Sequence, residues 1–330
     1  MLRFVFVTLG LGVMMAASAV CGQANTHEFT RATFLRGAAA AVAASAVGFP
    51  IEAKADATML TRTIPSSGKP LPVIGLGTWQ TFDVGTGATE RAPLADVLKT
   101  LFEAGGSVID SSPMYGRSES VVGDLLDGAQ SHGKAFLATK VWTRGKPNGI
   151  EQMERSFALM RTKHIDLMQV HNLVDWQIHL DTLKGWKADG RVSYLGVTHY
   201  TPSAFDELEA VMRGEKLDFV QLNYAIDDRA AEKKLLPLAL EKGIAVLVNR
   251  PFGGGGLLGR LKNKPLPAFA AELGCTSWAQ VLLKFIVSHP AVTCAIPGTR
   301  KPSHMKDNVQ AGMGALPDAA MRETLAAAAV

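Results

Sequence analysis

One unit recurs along this chain: a short apolar strand followed by a longer amphipathic segment that leads to the next strand. Eight strand candidates fit it: Val73-Gly75, Ser107-Asp110, Phe136-Lys140, Ile165-His171, Tyr194-Val197, Phe219-Leu222, Ile244-Val248 and Val292-Ile296. The segments between them carry the helical period. Leu94, Val97, Leu98, Leu101 and Phe102 form one apolar stripe, and Phe205, Leu208 and Val211 repeat the spacing after Thr201-Pro202-Ser203, a helix start. Gly105-Gly106, Gly133, Gly190 and Gly243 stand just before strands, where a helix ends. Strands covered by helices on both sides are parallel and doubly buried. Eight such units in 330 residues indicate an α/β fold of the (β/α)8 TIM-barrel type. The alternative is an open doubly wound sheet. It lacks its fingerprint, because Gly75-Leu76-Gly77-Thr78-Trp79 has no third glycine and no helix start. Met59 to Ile64 and Leu71 to Val73, around Ser66-Ser67-Gly68, suit a hairpin plugging the barrel floor.

The barrel reading gives meaning to four side chains. Asp110 ends the second strand, with Tyr115 in the turn after it; Lys140 ends the third and His171 the fourth. The C-terminal ends of barrel strands open onto one face, so these groups converge. An ammonium beside a phenol draws its pKa down from about 10, and a carboxylate beside the ammonium keeps it charged. A neutral imidazole can orient a carbonyl by donating a hydrogen bond. The set suits protonation of an alkoxide as hydride arrives at a carbonyl carbon. Taken singly, each residue has a plainer reading as packing, as a snorkelling lysine or as a satisfied core histidine. Their common position at neighbouring strand ends argues for chemistry.

Composition excludes other classes. Hydrophobic residues at 47% supply a core, and 19% charged residues exclude a disordered chain. The net charge of +4 is mild, and about half of it lies in the first 55 residues. No nucleic-acid partner is expected. Cys21, Cys275 and Cys294 have no metal-ligand spacing, so no metal is expected.

Residues 1-55 read as an export leader and 56-330 as the barrel domain. The leader has apolar runs at Phe4 to Val20 and Ala38 to Phe49. Thr30-Arg31-Ala32-Thr33-Phe34-Leu35-Arg36 before the second run resembles a degenerate twin-arginine export signal, with Ala32 at the second arginine. Ala53-Lys54-Ala55 is a small-x-small cleavage site, so Asp56 would begin the mature chain. Ala17-Ser18-Ala19 is a rival site, and Cys21 a weaker lipoprotein candidate. The expectation is recognition by export machinery and a periplasmic location, cytoplasmic or membrane-anchored if the leader stays on. The mature domain is not expected in the membrane.

From about Leu60 to Gln310 the chain resembles the aldo-keto reductases. The likeness rests on Ile74-Gly75-Leu76-Gly77-Thr78-Trp79, Ile109-Asp110-Ser111-Ser112-Pro113-Met114-Tyr115-Gly116, Leu137-Ala138-Thr139-Lys140, Asp166-Leu167-Met168-Gln169-Val170-His171 and Ile296-Pro297-Gly298. It implies reduction of an aldehyde or ketone by NADPH, with NADH possible, and a catalytic tetrad of Asp110, Tyr115, Lys140 and His171. For the cofactor it implies Gly77, Thr78, Asp110, Gln221, and Thr198-His199 in place of the family's Ser-Asn pair. Asn249 stands where the family has a stacking aromatic. Arg250, Pro251, Phe252 and Gly253 follow, in a glycine run able to wrap a pyrophosphate. Pro297, Thr299, Arg300, Lys301, His304 and Asn308 surround the last barrel helix. The family's two 2′-phosphate cations fall on Gly298 and His304, so Arg300 and Lys301 are expected to supply that charge. Trp79, Trp142 and Phe82 are candidate substrate walls, and the short alanine-rich tail suggests an open site for a small substrate.

Two rivals stand beside this reading. A cofactor-binding regulatory subunit of the same fold, with little turnover, would suit the altered Thr198-His199 and Asn249. A Schiff-base lyase using Lys140 is disfavoured, because Asp110 raises the pKa of an amine that must be neutral to attack.

Overall fold

A computed structural model describes residues 58–329. The leader, its cleavage site and the start at Asp56 lie outside the described residues.

The chain enters through an antiparallel hairpin, β1 (Thr61–Thr63) against β2 (Pro70–Pro72), with Thr61 opposite Pro72. Ile64 and Leu71 leave it as buried apolar residues in one cluster with Val108, Ala138, Leu167, Phe219 and Leu247, the inward residues of the barrel strands. The Ser67 hydroxyl lies 2.8 Å from the Tyr194 phenol oxygen. The hairpin therefore closes the floor, as its sequence suggested.

Eight parallel strands follow: β3 (Leu76–Gly77), β4 (Val108–Asp110), β5 (Phe136–Val141), β6 (Ile165–His171), β7 (Val192–His199), β8 (Phe219–Asn223), β9 (Ala245–Asn249) and β10 (Cys294–Ala295). Each pairs with the next in parallel, and the bridges Ile74↔Ala295 and Gly77↔Gly298 join first to last. The fold is a (β/α)8 barrel. The first strand sits a little later than Val73-Gly75, although Ile74 still bridges Ala295, and two glycines allow close approach there. A Cβ on Gly75 would lie 2.8 Å from Val108 Cβ, and one on Gly77 would lie 2.8 Å from the Ile296 carbonyl oxygen.

Helices α1 (Ala88–Glu103), α2 (Ser118–Gly128), α3 (Lys146–Leu159), α4 (Trp176–Ala188), α5 (Phe205–Gly214) and α6 (Leu235–Lys242) fill the first crossovers. Then come α7 (Gly256–Leu261), α8 (Trp278–Val287), α9 (Pro302–Gln310) and α10 (Ala319–Ala329). The stripes read from sequence face the sheet: Leu94, Val97, Leu98 and Leu101 are buried on α1, and Phe205, Leu208 and Val211 on α5. Among the described residues no helix is long and apolar enough to cross a membrane.

Candidate active site

Strand alternation builds the site. Residues i and i+2 share a face of a strand. Val108, Ala138, Leu167, Phe219, Ala245 and Leu247 pack the barrel interior. Two residues on from Val108, Ala138, Leu167, Phe219 and Leu247 stand Asp110, Lys140, Gln169, Gln221 and Asn249, so the apolar filling gives way towards the strand ends to a polar layer. His171 follows Gln169 on the same face, and Thr198 holds the matching place on β7, opposite His171.

Lys140 is fully buried and Asp110 nearly so. The ammonium Nζ lies 2.6 Å from Asp110 Oδ2 and donates to the Ser111 carbonyl oxygen at 2.7 Å. Asp110 Oδ1 accepts from Gln221 Nε2 at 2.8 Å and from Gln169 Nε2 at 3.2 Å. Burial alone would pull the Lys140 pKa down. Asp110 and the Tyr115 phenol outweigh it, so the net direction is up and the amine stays charged. Lys140 Nζ sits 4.9 Å from the centre of the Tyr115 ring. Burial pushes the Tyr115 pKa up and Lys140 pulls it back; the net direction is up from 10.0. The sequence-based expectation was a lowered phenol. It weighed the ammonium without the desolvation that accompanies a buried ion pair.

His171 meets Tyr115 edge to face, ring centres 5.8 Å apart, with the Trp142 ring 6.4 Å away. Burial first, then the charges of Lys140 and His199, lower its pKa to about 2, so the ring is neutral. Its Nδ1 lies 3.0 Å from the Ser112 hydroxyl.

A cavity of about 930 Å³ opens over this layer. Asp110, Tyr115 and His171 reach it, and Lys140 lies beneath. Trp79 and Trp142 form part of its walls, exposed at 45% and 42%, whereas Phe82, expected beside them, is fully buried in the hydrophobic core. Of the expected cofactor residues, Gly77, Thr78, Thr198, Gln221, Asn249, Arg250, Pro251, Phe252, Thr299, His304 and Asn308 line it. Thr198 and Asn249 both donate to Gln221 Oε1, each at 3.4 Å, which binds the three into one amide-rich patch. The other expected residues stand back. His199 stacks on Tyr200 with ring centres 5.9 Å apart and takes the Thr201 hydroxyl on Nδ1 at 3.0 Å. Gly253 and Pro297 are outside the lining. Arg300 turns away, its Nη2 on the Gln80 carbonyl oxygen at 2.7 Å, and Lys301 caps α9 from outside.

The sequence reading missed several wall residues. Tyr200 lines the cavity with the Arg250 guanidinium 5.3 Å from its ring centre. Lys262, just beyond α7, and Asn172, next to His171, also line it. Gln169 and Ser112 lie behind the wall as partners of Asp110 and His171. Gln169 carried a signal: a lone amide in an apolar strand, two residues before His171 and on its face. Lys262 carried none, because its place depends on how the glycine-rich segment folds back.

The residues present fit a nicotinamide dinucleotide. The amide patch at Thr198, Gln221 and Asn249 lies beside Asp110 and His171 in the cavity wall, while Arg250 and Lys262 offer cationic groups and His304 an imidazole in the same lining. Glycines 253 to 255 take positive φ, and Gly254 and Gly255 line the cavity, but the Gly253 and Gly255 N–H groups donate to the Arg250 and Phe252 carbonyls rather than facing it.

Comparison with known proteins agrees with this architecture. The Aldo/keto reductase family model matches residues 73–328. Methylglyoxal reductase YeaE of Escherichia coli (strain K12) is 30% identical over 246 residues, spanning 72% of this chain and 84% of that one. Aldo-keto reductase YhdN of Bacillus subtilis (strain 168) is 24% identical, over 74% and 86%. An aldo-keto reductase of Klebsiella pneumoniae solved with NADPH superposes with a TM-score of 0.69 at 25% identity, covering 81% of this chain and 94% of its own. An aldo/keto reductase from the same organism, solved with NADP and acetate, gives 0.67 at 25% identity, over 78% and 91%. With a family match across nearly the whole barrel, this chain belongs to the aldo/keto reductase family.

Proposed function

We propose that the protein is an NADPH-dependent oxidoreductase that reduces a small aldehyde or ketone to an alcohol. One observation carries this reading most: the phenol of Tyr115, a charged Lys140 fully buried against Asp110, and a neutral His171 meet at one end of a single cavity. NADPH is supported as cofactor by the Klebsiella pneumoniae relatives, solved with NADP and NADPH. When bound it supplies hydride. Thr198, Gln221 and Asn249 would hold its nicotinamide amide. Arg250, Lys262 and His304 would meet its phosphates.

The chain's own residues supply the proton and the alignment. His171, neutral, donates to the carbonyl oxygen and orients it towards Tyr115. The phenol gives its proton to that oxygen as the carbon is reduced. Lys140, held charged by Asp110, stabilises the phenolate left behind. Trp79 and Trp142 give the substrate end apolar walls, and Asn172 adds one amide. That lining suits a neutral carbonyl compound, and the likeness to methylglyoxal reductase YeaE makes 2-oxoaldehydes the first compounds to test.

The test is Tyr115→Phe, measured as NADPH-dependent turnover on a panel of aldehydes and 2-oxoaldehydes, with NADPH affinity read by fluorescence. Turnover should fall at least a hundredfold, the upper part of what general acid catalysis supplies being about 10⁴, with affinity within about twofold. Activity within tenfold of the parent removes Tyr115 as the acid.

A further inference from the structure

We propose that Ser112 is a positioning residue that fixes the tautomer of His171, placing the ring proton on Nε2 for donation to the substrate carbonyl.

Ser112 is two residues beyond Asp110, just past β4, and is fully buried; His171 is 5% exposed. The Ser112 oxygen accepts the Met114 backbone N–H at 3.3 Å and lies 3.0 Å from His171 Nδ1. A hydroxyl has one proton to give. Met114 takes one of its two lone pairs, and among the described residues His171 Nδ1 is the one acceptor within hydrogen-bond distance of this fully buried hydroxyl, so the proton goes to Nδ1 rather than being left unpaired. Nδ1 is then an acceptor, and in a neutral imidazole the other nitrogen carries the hydrogen. The ring is neutral because it is buried beside the Lys140 ammonium. Among the described residues no carboxylate or backbone carbonyl lies on Nδ1 to favour the opposite tautomer. The Nδ1–H form would leave Nε2 as an acceptor facing a carbonyl oxygen, two lone pairs in opposition. Carbonyl reduction at this site therefore needs the form that Ser112 selects.

Through the Met114 N–H the same hydroxyl also braces the turn that carries Tyr115, a turn closed by the Tyr115 N–H on the Ser112 backbone carbonyl at 3.0 Å. The experiment has to separate the two roles. The full chain and its Ser112→Ala and Ser112→Thr variants are labelled with ¹⁵N-histidine, and long-range ¹⁵N–¹H spectra report each ring's tautomer. The His171 signals are assigned by their loss in His171→Asn. The parent should show His171 as a single Nε2–H form, Ser112→Ala a mixture, and Ser112→Thr the parental form. In parallel, Ser112→Ala should lower kcat roughly two- to tenfold, the range of one net hydrogen bond. KM and NADPH affinity should stay within twofold, and Ser112→Thr should recover kcat. An Nδ1–H ring in the parent overturns the assignment. So does a lower kcat in Ser112→Ala with the tautomer unchanged, which places the loss in the Tyr115 turn. The inference rests on the carbonyl-reduction reading. A parent that reduces no carbonyl fails that reading, while the tautomer spectra still decide the role of Ser112.

Discussion

Gln221 donates its side-chain amide to Asp110 Oδ1 at 2.8 Å, so a residue that lines the cavity also holds the carboxylate that pairs with Lys140. Gln169 donates to the same oxygen at 3.2 Å from the neighbouring side. The two amides complete the shell of a buried anion whose other oxygen is taken by the ammonium. A buried ion pair is retained only when its remaining lone pairs are met.

Gln169 separates stability from catalysis. Its Nε2 serves Asp110, but its own Oε1 has no partner among the described residues. For stability alone an apolar side chain of the same size is a fair replacement, since removing an unsatisfied buried acceptor offsets loss of the donor. Gln169→Met is thus expected to change stability by no more than about 1 kcal/mol. Turnover should fall about tenfold, the scale of one hydrogen bond to a charged group, with NADPH affinity unchanged. Thermal melting and steady-state kinetics check it. A large fall in Tm with normal turnover would make Gln169 a packing residue only.

The pH profile follows from Tyr115. In the proposed reduction the phenol acts protonated, and burial raises its pKa above 10.0 against the opposing pull of Lys140. Loss of the phenol's proton should therefore not lower kcat/KM for reduction anywhere below pH 10.0. Alcohol oxidation uses the phenolate and should climb with pH across the same range. A reduction limb falling near neutral pH, absent from Tyr115→Phe residual activity, would contradict the raised phenol.

Much of this site was legible because it is written in strand ends. Asp110, Lys140 and His171 close runs whose apolar alternation sets their facing, and parallel strands bring those ends together whatever the loops do. The hairpin under the barrel was legible for the same reason, through Ile64 and Leu71. The phenol's direction was not, since it depends on the depth of the Lys140–Asp110 pair. Nor was the cationic wall: Arg300 is close in sequence to the expected phosphate position, but its side chain reaches the Gln80 carbonyl in the loop after the neighbouring first strand.

That contact changes the expectation for cofactor choice. Arg300 is occupied by Gln80, whereas Lys262 lines the cavity and makes no ion pair among the described residues. A charge-assisted contact to the 2′-phosphate is worth about 1.5–3 kcal/mol. Lys262→Ala should weaken NADPH binding roughly tenfold or more and leave NADH nearly unchanged. Arg300→Ala should alter both by no more than about twofold. Titration of the two variants with both nucleotides decides between these cations. Selective loss of NADPH in Arg300→Ala would show that its side chain swings from Gln80 to the phosphate.

Glu119 gives a prediction on stability. It lies on α2 at 1% exposure, behind β5, and accepts the Thr139 hydroxyl at 2.6 Å. Burial raises its pKa above the usual 4.5, against the pull of Thr139, Ser156, Lys140 and Arg155. A carboxyl whose folded pKa is raised binds its proton more tightly in the folded state. Its contribution is full below pH 4.5 and is lost as pH rises through the folded pKa. Glutamine keeps the shape and the acceptor without the ionisation. Glu119→Gln should therefore melt with the parent at about pH 4 and above it at pH 7 and beyond. Each kcal/mol recovered raises Tm by roughly 2–4 °C in a domain of this size. The Tm difference between variant and parent, followed across pH, cancels the titration of the other carboxylates. A difference that is flat with pH, or that favours the parent at pH 7, would mean that the Glu119 anion is fully met by Thr139, Ser156 and the nearby cations, so that its burial carries no penalty.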